Sequence, residues 1–521
     1  MEYSACYYAL GFLCCIFTTS FVIVCKVLNG YWTRRGVYTL HPKLFFGNTA
    51  EVILQRKSFG EHIKDFYNTI KQKGYRYGGY YFLMRPTFVA VDLDLIKTIF
   101  IKDFEHFTDH PSYVNEEKDP LSAHLFSQKG EKWKKLRAKI TPAFTSGNLK
   151  MMFETLLKCC QELEIMMKKK VESKEVIDMK DVISKLSLDV IGSCAFGLDC
   201  NSLKSFNNDL QKYGSRFFHD QSIKGSIIHL ISIVCPDFFH YINVNIHDKE
   251  MTKFFTTLVE DVVQYREENG IVRKDIMHLL LQLKNNGEIR ENDAEGATNV
   301  VAGDMNTLET LTLRELMAQC FVFFVAGFET TSFATTCCMY ELSVNESFQD
   351  KVREEMNRVL HETDGKITYE ILTKMKFLEK CIYETLRKYP PVAVQTRVCT
   401  KQYKVPNSDV ILNKGMPVII PTLGIHMDPD YYPNPELFDP ERFSVENKSS
   451  LPPCAWIPFS GGPRTCVAFR FGLLQIKVGL VTLLRRYKFS LHPSTKIPMK
   501  FDPKSFLLTS ASPILLCAEK I

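Results

Sequence analysis

The chain lacks the charge imbalance that marks a nucleic-acid or polyanion binder: 65 lysines and arginines against 59 acids leave a net charge of only +6 over 521 residues, evenly spread. It lacks a disulfide framework. Its seventeen cysteines are scattered, include the vicinal pairs Cys159-Cys160 and Cys337-Cys338, and read as reduced thiols of a cytosol-facing protein. It lacks repeats and low-complexity tracts, which excludes a solenoid or a disordered scaffold, and 45% apolar with 24% charged residues is the composition of a folded protein. Length alone suggests about three domains of ~150 residues.

What is present begins at the N-terminus. Residues 3–25 contain no charge and are dense in Leu, Phe, Ile, Val and Cys. As a helix this stretch is about 34 Å long at ~1.5 Å per residue, enough to cross a bilayer. Lys26, Arg34 and Arg35 follow, so the positive-inside rule keeps the remainder cytosolic. A cleaved signal peptide fits poorly, because Met1-Glu2 is not a basic n-region and no Ala-x-Ala site follows. A buried core helix is the structural alternative. The expected organisation is an anchor at 3–25, a basic linker or hinge at 26–48 and one catalytic domain at 49–521.

The β-branched and aromatic residues from Tyr80 to Asp92, around Arg85-Pro86, predict a β-hairpin. Most of 130–284 has helical apolar spacing. Ile227 to Val234 is mostly apolar between polar stretches, suited either to the membrane surface or to core packing. Residues 285–306 read as an exposed polar loop before the longest helical pattern, about Thr312 to Ser343. A further helix over Phe377–Tyr389 stops at Pro390-Pro391, and His426–Phe443, with four prolines, reads as a long ordered loop.

Chemistry concentrates in four places. Phe459-Ser-Gly-Gly-Pro-Arg-Thr-Cys466-Val-Ala468 presents one cysteine on a glycine-rich loop before an apolar helix. A free thiol has a pKa of about 8.5, and a metal together with a helix N-terminus would hold it as a thiolate. Gly461 and Gly462 are expected to admit a flat macrocycle, and Arg464 to answer its carboxylates. In the long helix, Ala326-Gly327-Phe328-Glu329-Thr330 sets an acid beside a hydroxyl next to the apolar run Phe321–Val325, and a local widening at Gly327 and Thr330 is expected to hold dioxygen and a water chain. Glu384 and Arg387, at i and i+3, with Arg442 further on, suit a buried network that locks the cysteine loop. Trp133 and Arg137 share a helix face and can donate to a carboxylate, while Lys132, Lys134, Lys135 and Lys139 crowd the other faces, either solvated or ready for an acidic partner.

Together these motifs resemble the cytochrome P-450 superfamily across the whole chain. Tyr31-Trp-Thr-Arg-Arg-Gly-Val, Asp119-Pro-Leu-Ser-Ala-His-Leu-Phe126 and Phe144-Thr-Ser-Gly147 are most similar to the insect family-six microsomal enzymes. The resemblance implies a mainly α fold with a small β part. It also implies haem b with a cysteine thiolate, endoplasmic-reticulum anchoring, electrons from NADPH through a flavoprotein reductase with cytochrome b5 as a further partner, and no nucleic acid. The implied activity is insertion of one atom of O2 into apolar small molecules such as plant toxins or insecticides. Matched by residue, Cys466 is the metal ligand, Glu329 and Thr330 the catalytic acid and alcohol, and Trp133, Arg137, Arg397, Phe459 and Arg464 cofactor contacts. Phe126, Val322, Val325, Ala326 and Val392 line the substrate side.

Four departures stand out. Ala468 occupies a usual glycine, His110-Pro111 replaces Arg-Gly, Gln395 stands where an apolar residue is expected near the substrate, and Tyr38 and Leu40 sit in a hinge usually richer in proline. Alternative readings are a haem-thiolate isomerase or dehydratase, and a non-catalytic haem-containing ligand binder.

Overall fold

The computed structural model describes residues 2–204, 209–219, 245–289 and 310–521. The apolar stretch Ile227–Val234 and most of the polar stretch 285–306 lie outside them. The protein is mainly α with a small β part. Among the described residues the strands are β1 Tyr77–Phe82, β2 Arg85–Ala90, β3 Ile177–Asp178, β4 Gln395–Val398, β5 Tyr403–Lys404, β6 Ile411–Leu412, β7 Pro417–Ile420, β8 Tyr487–Leu491 and β9 Leu515–Lys520. They form a four-stranded sheet in the order β1-β2-β7-β4, a three-stranded β3-β9-β8 sheet and a β5-β6 pair.

The hairpin differs from its expected bounds. It begins at Tyr77, and its turn is Leu83-Met84, with Leu83 in the left-handed region at φ 52°. Arg85-Pro86 lies inside β2, with Pro86 opposite Tyr81. Pro86 is tolerated because β2 meets β7 only through Phe88 and Val89, so no ladder partner on that side needs a proline N–H.

Leu313–Val344 is the longest helix. Its start is fixed by a capping box, in which the Thr312 hydroxyl accepts from Glu315 N–H and the Glu315 carboxylate accepts from Thr312 N–H. The helix is apolar all round, the pattern of a buried helix. It is long and apolar enough to cross a membrane, but 72% of its most apolar window is buried inside the protein, so it is the core helix. Helices Met179–Ile191 and Phe469–Leu484 pack against it. The helical core and the four-stranded sheet form two hydrophobic clusters, and Phe333 and Cys337 of the long helix belong to the sheet-side cluster.

Glu2–Asn29 is helical, and the span Gly11–Arg35 has mean hydropathy 2.1 with only 6% of its window buried, which makes it a candidate membrane anchor. The stretch read as a linker is laid along the sheet. Trp32 is fully buried, its indole N–H donates to Tyr80 O at 3.1 Å, and its backbone N–H donates to the Tyr81 hydroxyl at 2.9 Å. A Cβ at Gly79 would stand 2.2 Å from the Trp32 ring, so that glycine is what lets the indole lie flat on β1. Tyr38 stacks on Tyr75 at 4.9 Å.

Candidate active site

The cysteine loop is built by its own backbone. Cys466 N–H donates back to Phe459 O at 2.9 Å, and Ser460 and Gly462 take positive φ of 69° and 67° to close the turn. The glycines also have a packing role. A Cβ on Gly462 would come 1.8 Å from Phe100 O, and one on Gly461 would come 2.8 Å from the Phe100 ring. They therefore seat the loop on the Thr98–Lys102 turn. Ala468 begins the following helix at φ −100°, which any residue adopts, so the alanine costs no backbone strain there. Phe459 is half-buried between Trp456 and Phe469, with ring centroids 6.2 and 6.0 Å away.

Cys466 is open to a water-sized probe, yet protein surrounds it closely enough that burial raises its thiol above the ordinary value, against the pull of Ala468 N–H and Arg137. The sulfur thus faces an internal space. A metal ion deprotonates a coordinating thiol outright, which reverses that burial effect.

Buried cations surround the loop. Arg137 donates to Thr465 O at 2.8 Å. Arg464 lies 3.9 Å over the Trp133 ring and spends its donors on the carbonyls of Thr108, Leu125, Phe126 and Gln128. Arg397, fully buried in β4, donates to Thr396 O and the Ser460 hydroxyl, while its Nε has no partner. Burial lowers all three guanidinium pKa values, those of Arg397 and Arg464 to about 9, so they stay charged at neutral pH. The nearest acid to Arg464 is Asp109 at 3.7 Å. Three guanidiniums with one carboxylate leave excess positive charge in the interior, and that fits an anionic group bearing carboxylates.

His110 sits in this cluster. Its Nδ1 lies 3.0 Å from Thr396 O, its ring stacks on Phe126 at 4.3 Å, and burial together with Arg397 and Arg464 drives its pKa well below the ordinary value. It is therefore neutral, with Nδ1–H donating, and adds no fourth cation.

The opposite wall is the long helix. Ala326 is exposed and Val322, Val325 and Thr330 are half-buried, although most neighbours on the same helix are buried. This i, i+3, i+4, i+8 set is one face left open within the core. Phe126, 52% exposed, stands between the two walls: Leu125 N–H donates to Gln319 of the long helix, and Arg464 reaches the Phe126 carbonyl. Val392 lies half-buried on the loop entering β4, the Arg397 strand.

The expected helix widening is not found. Leu313–Val344 is α-helical throughout, and the Thr330 hydroxyl donates to Ala326 O at 2.6 Å without opening the turn. Gly327 has a packing reason instead, since a Cβ there would lie 2.4 Å from Ile191. Glu329 does not face the open side with Thr330. It is 4% exposed and pairs with Lys180 of the neighbouring helix at 3.6 Å. Gln395 is also differently placed: it is buried, and its Nε2 donates to Ile457 O at 2.6 Å, bracing the approach to the cysteine loop.

Glu384 and Arg387 are both fully buried and joined by two bonds of 2.7 Å, with Arg442 3.5 Å from Glu384. Arg387 also donates to His426 O and Pro435 O, and Asp439 N–H donates to Glu384. His426 carries this network to the loop: it accepts from Ile457 N–H on Nε2, so its Nδ1–H donates to Arg387 O. Sequence reading gives His426 only as the start of a proline-rich loop and misses Lys180 and Asp109, which meet their partners across more than a hundred residues. Lys132 and Lys134 are paired with Glu116 and with Glu105 and Glu131, so part of the basic helix is answered locally.

The family model described as Cytochrome P450 matches residues 40–518. The chain is 38% identical over 495 residues to a probable cytochrome P450 6a23 of Drosophila melanogaster, covering 95% of each. Cytochrome P450 6a2 of the same fly is 37% identical, over 94% of this chain and 95% of its own. Cytochrome P450 6k1 of Blattella germanica is also 37% identical, over 94% and 93%. An interior cysteine facing a cation-rich wall and an open helix face, on a chain this similar to those proteins over nearly its full length, has one family home: the chain belongs to the cytochrome P450 family of haem-thiolate monooxygenases.

Proposed function

We propose that the protein oxidises apolar small molecules of xenobiotic type, plant toxins or insecticides among them, with electrons from NADPH delivered by a flavoprotein reductase and by cytochrome b5. In this reading 3–25 anchors the chain in the endoplasmic reticulum membrane, 26–48 joins it to the bilayer, and 49–521 works in the cytosol with haem b. Bound haem supplies dioxygen activation. The chain's own residues do the rest. Cys466 would hold the metal as a thiolate, a charged donor that would tune its reactivity. Arg137, Arg397 and Arg464, with Trp133 beneath Arg464, hold the propionates, and the unpartnered Nε of Arg397 is a donor ready for one of them. Phe459 packs the cysteine loop between Trp456 and Phe469.

Phe126, Val322, Val325, Ala326 and Val392 form the apolar side that admits substrate and excludes water. Thr330 holds a proton at its hydroxyl on the open face, whereas Glu329 is paired with Lys180 on the buried side and turned from that face. Glu384, Arg387 and Arg442 fix the loop and take no part in chemistry. The observation that carries the reading is the open Ala326–Thr330 face opposite the cation cluster of the Cys466 loop.

An isomerase or dehydratase would need no hydroxyl on the open face, and a ligand-sequestering protein would need none either. The preference for toxins rests on kinship with the fly and cockroach proteins. The reduced carbon monoxide difference spectrum tests the thiolate. Product formation that requires NADPH and reductase then separates the monooxygenase from peroxide-driven rearrangement and from binding without turnover.

A further inference from the structure

Asp119 is a fully buried carboxylate that, among the described residues, pairs with no lysine or arginine. It is held by three donors from one distant segment. Its Oδ2 accepts from Ile246 N–H at 2.9 Å and His247 N–H at 3.1 Å, and its Oδ1 accepts from His247 Nδ1 at 2.7 Å. The two side chains are 0% and 8% exposed. Burying a carboxylate is expensive unless it is paired and hydrogen-bonded, and what three directional bonds add over an apolar contact is registration.

What is registered is a junction of four elements. Asp119 opens the loop that runs through the Pro120–Ser122 turn to Phe126. His247 immediately precedes Asp248, which caps helix Lys249–Glu268. The His247 ring stacks on Phe217 of helix Asp209–His219 at 6.1 Å and meets Phe321 of the long helix edge-on at 5.1 Å. Further along, the same loop is tied to Gln319 through Leu125 and to Arg464 through Leu125 and Phe126. The Phe126 end is thus fixed to the floor and the long helix, and the Asp119 end to the start of helix Lys249–Glu268.

We propose that Asp119 and His247 are a specificity-setting positioning pair, which fixes the start of the loop that carries Phe126 against helix Lys249–Glu268 and so the size of apolar molecule admitted between Phe126 and the open Val322–Thr330 face. Neither residue touches the reacting atoms. Breaking the pair lets the two ends part, and bulky ligands lose their enclosing wall while small ones do not notice.

The inference rests on the haem-thiolate reading for its ligand probes, and two azoles that bind the same iron test it. In Asp119→Asn and His247→Leu, clotrimazole binding, followed by its spectral shift, should weaken several-fold while imidazole binding stays as in the native protein. His247→Gln, which keeps an N–H donor, should recover most of the loss. Amide hydrogen exchange over 115–126 and 246–255 should rise together in the first two variants. Unchanged clotrimazole affinity, an equal loss for imidazole, or exchange rising in only one segment would overturn the pairing. A native protein without the thiolate carbon monoxide band would instead reject the function, and the exchange measurement would still decide the pairing by itself.

Discussion

The Lys180 ammonium stands 3.6 Å from the Glu329 carboxylate and donates to the Thr509 hydroxyl at 2.8 Å, so the acid next to Thr330 is tied to a different helix from the one that bears it. Glu329 is 4% exposed, whereas the Lys180 side chain is 25% exposed and reaches toward solvent. Removing the cation takes the ion-pair partner from a buried carboxylate. Lys180→Met should lower stability by about 1 kcal/mol, the worth of a charge-assisted contact discounted for the exposure of the lysine. In the Glu329→Gln background the same change should cost little. Urea denaturation of the four proteins of this cycle measures it, and equal costs in both backgrounds would refute the coupling.

Thr330 faces the open side alone, with its hydroxyl closing onto Ala326 O. Thr330→Ala removes the hydroxyl and little volume. The expected result is a normal carbon monoxide spectrum with less product and more peroxide per NADPH consumed; unchanged coupling would remove Thr330 from proton delivery. Thr330→Ser should retain most of the coupling.

Glu384 and Arg387 join helix Lys376–Lys388 to the 426–439 loop with no solvent contact. Breaking a buried pair by removing one partner costs about 3–5 kcal/mol. Arg387→Met should therefore lower the urea midpoint strongly and release haem at denaturant concentrations where the native protein keeps it. A variant as stable as the native protein would contradict the network.

Much of this site was legible in the sequence, and the failures share a cause. Cys466, Arg464 and the Glu384–Arg387 spacing declare themselves locally, and the capped helix from Leu313 follows from composition and its Thr312–Glu315 cap. Gly327, Gly461 and Gly462 announce closeness without naming the neighbour: Ile191 and Phe100 lie more than a hundred residues away, so only packing shows what each glycine seats against. Glu329 and Thr330 are adjacent in sequence, yet 100° apart around a helix, and only packing decides that one meets Lys180 and the other the open face. His426 is legible only as the start of the 426–443 loop, and its partners Arg387 and Ile457 are chosen by packing.

Acid sensitivity follows from buried histidines. Burial lowers His124 and His426 from 6.5 to about 3, and His110 falls well below 6.5. Their folded pKa values lie below the unfolded value, so the unfolded chain binds more protons as pH drops. The stability they contribute is complete above 6.5 and is lost as pH falls from there toward about 3. Each should cost about 1 kcal/mol between pH ~6.5 and ~5.5. In His426→Gln the pH dependence of unfolding free energy over that interval should flatten by one histidine's share, and an unchanged slope would show that His426 titrates in the folded protein.

Gly461 and Gly462 separate loop geometry from loop composition. Alanine at Gly462 meets two obstacles: a left-handed φ of 67°, worth about 1–2 kcal/mol for a residue with a Cβ, and the Phe100 carbonyl oxygen 1.8 Å from where that Cβ would lie. A carbonyl in a short helical turn cannot rotate away, so the loop itself must move and take Cys466 with it. At Gly461 the obstacle is a ring edge at 2.8 Å, which a small tilt of Phe100 relieves. Gly462→Ala should accordingly lose most of its thiolate-type carbon monoxide band, and Gly461→Ala should retain it with a modest fall in thermal midpoint. Phe100→Ala should help Gly461→Ala and leave Gly462→Ala as damaged as before, because it removes the ring and leaves the backbone carbonyl in place.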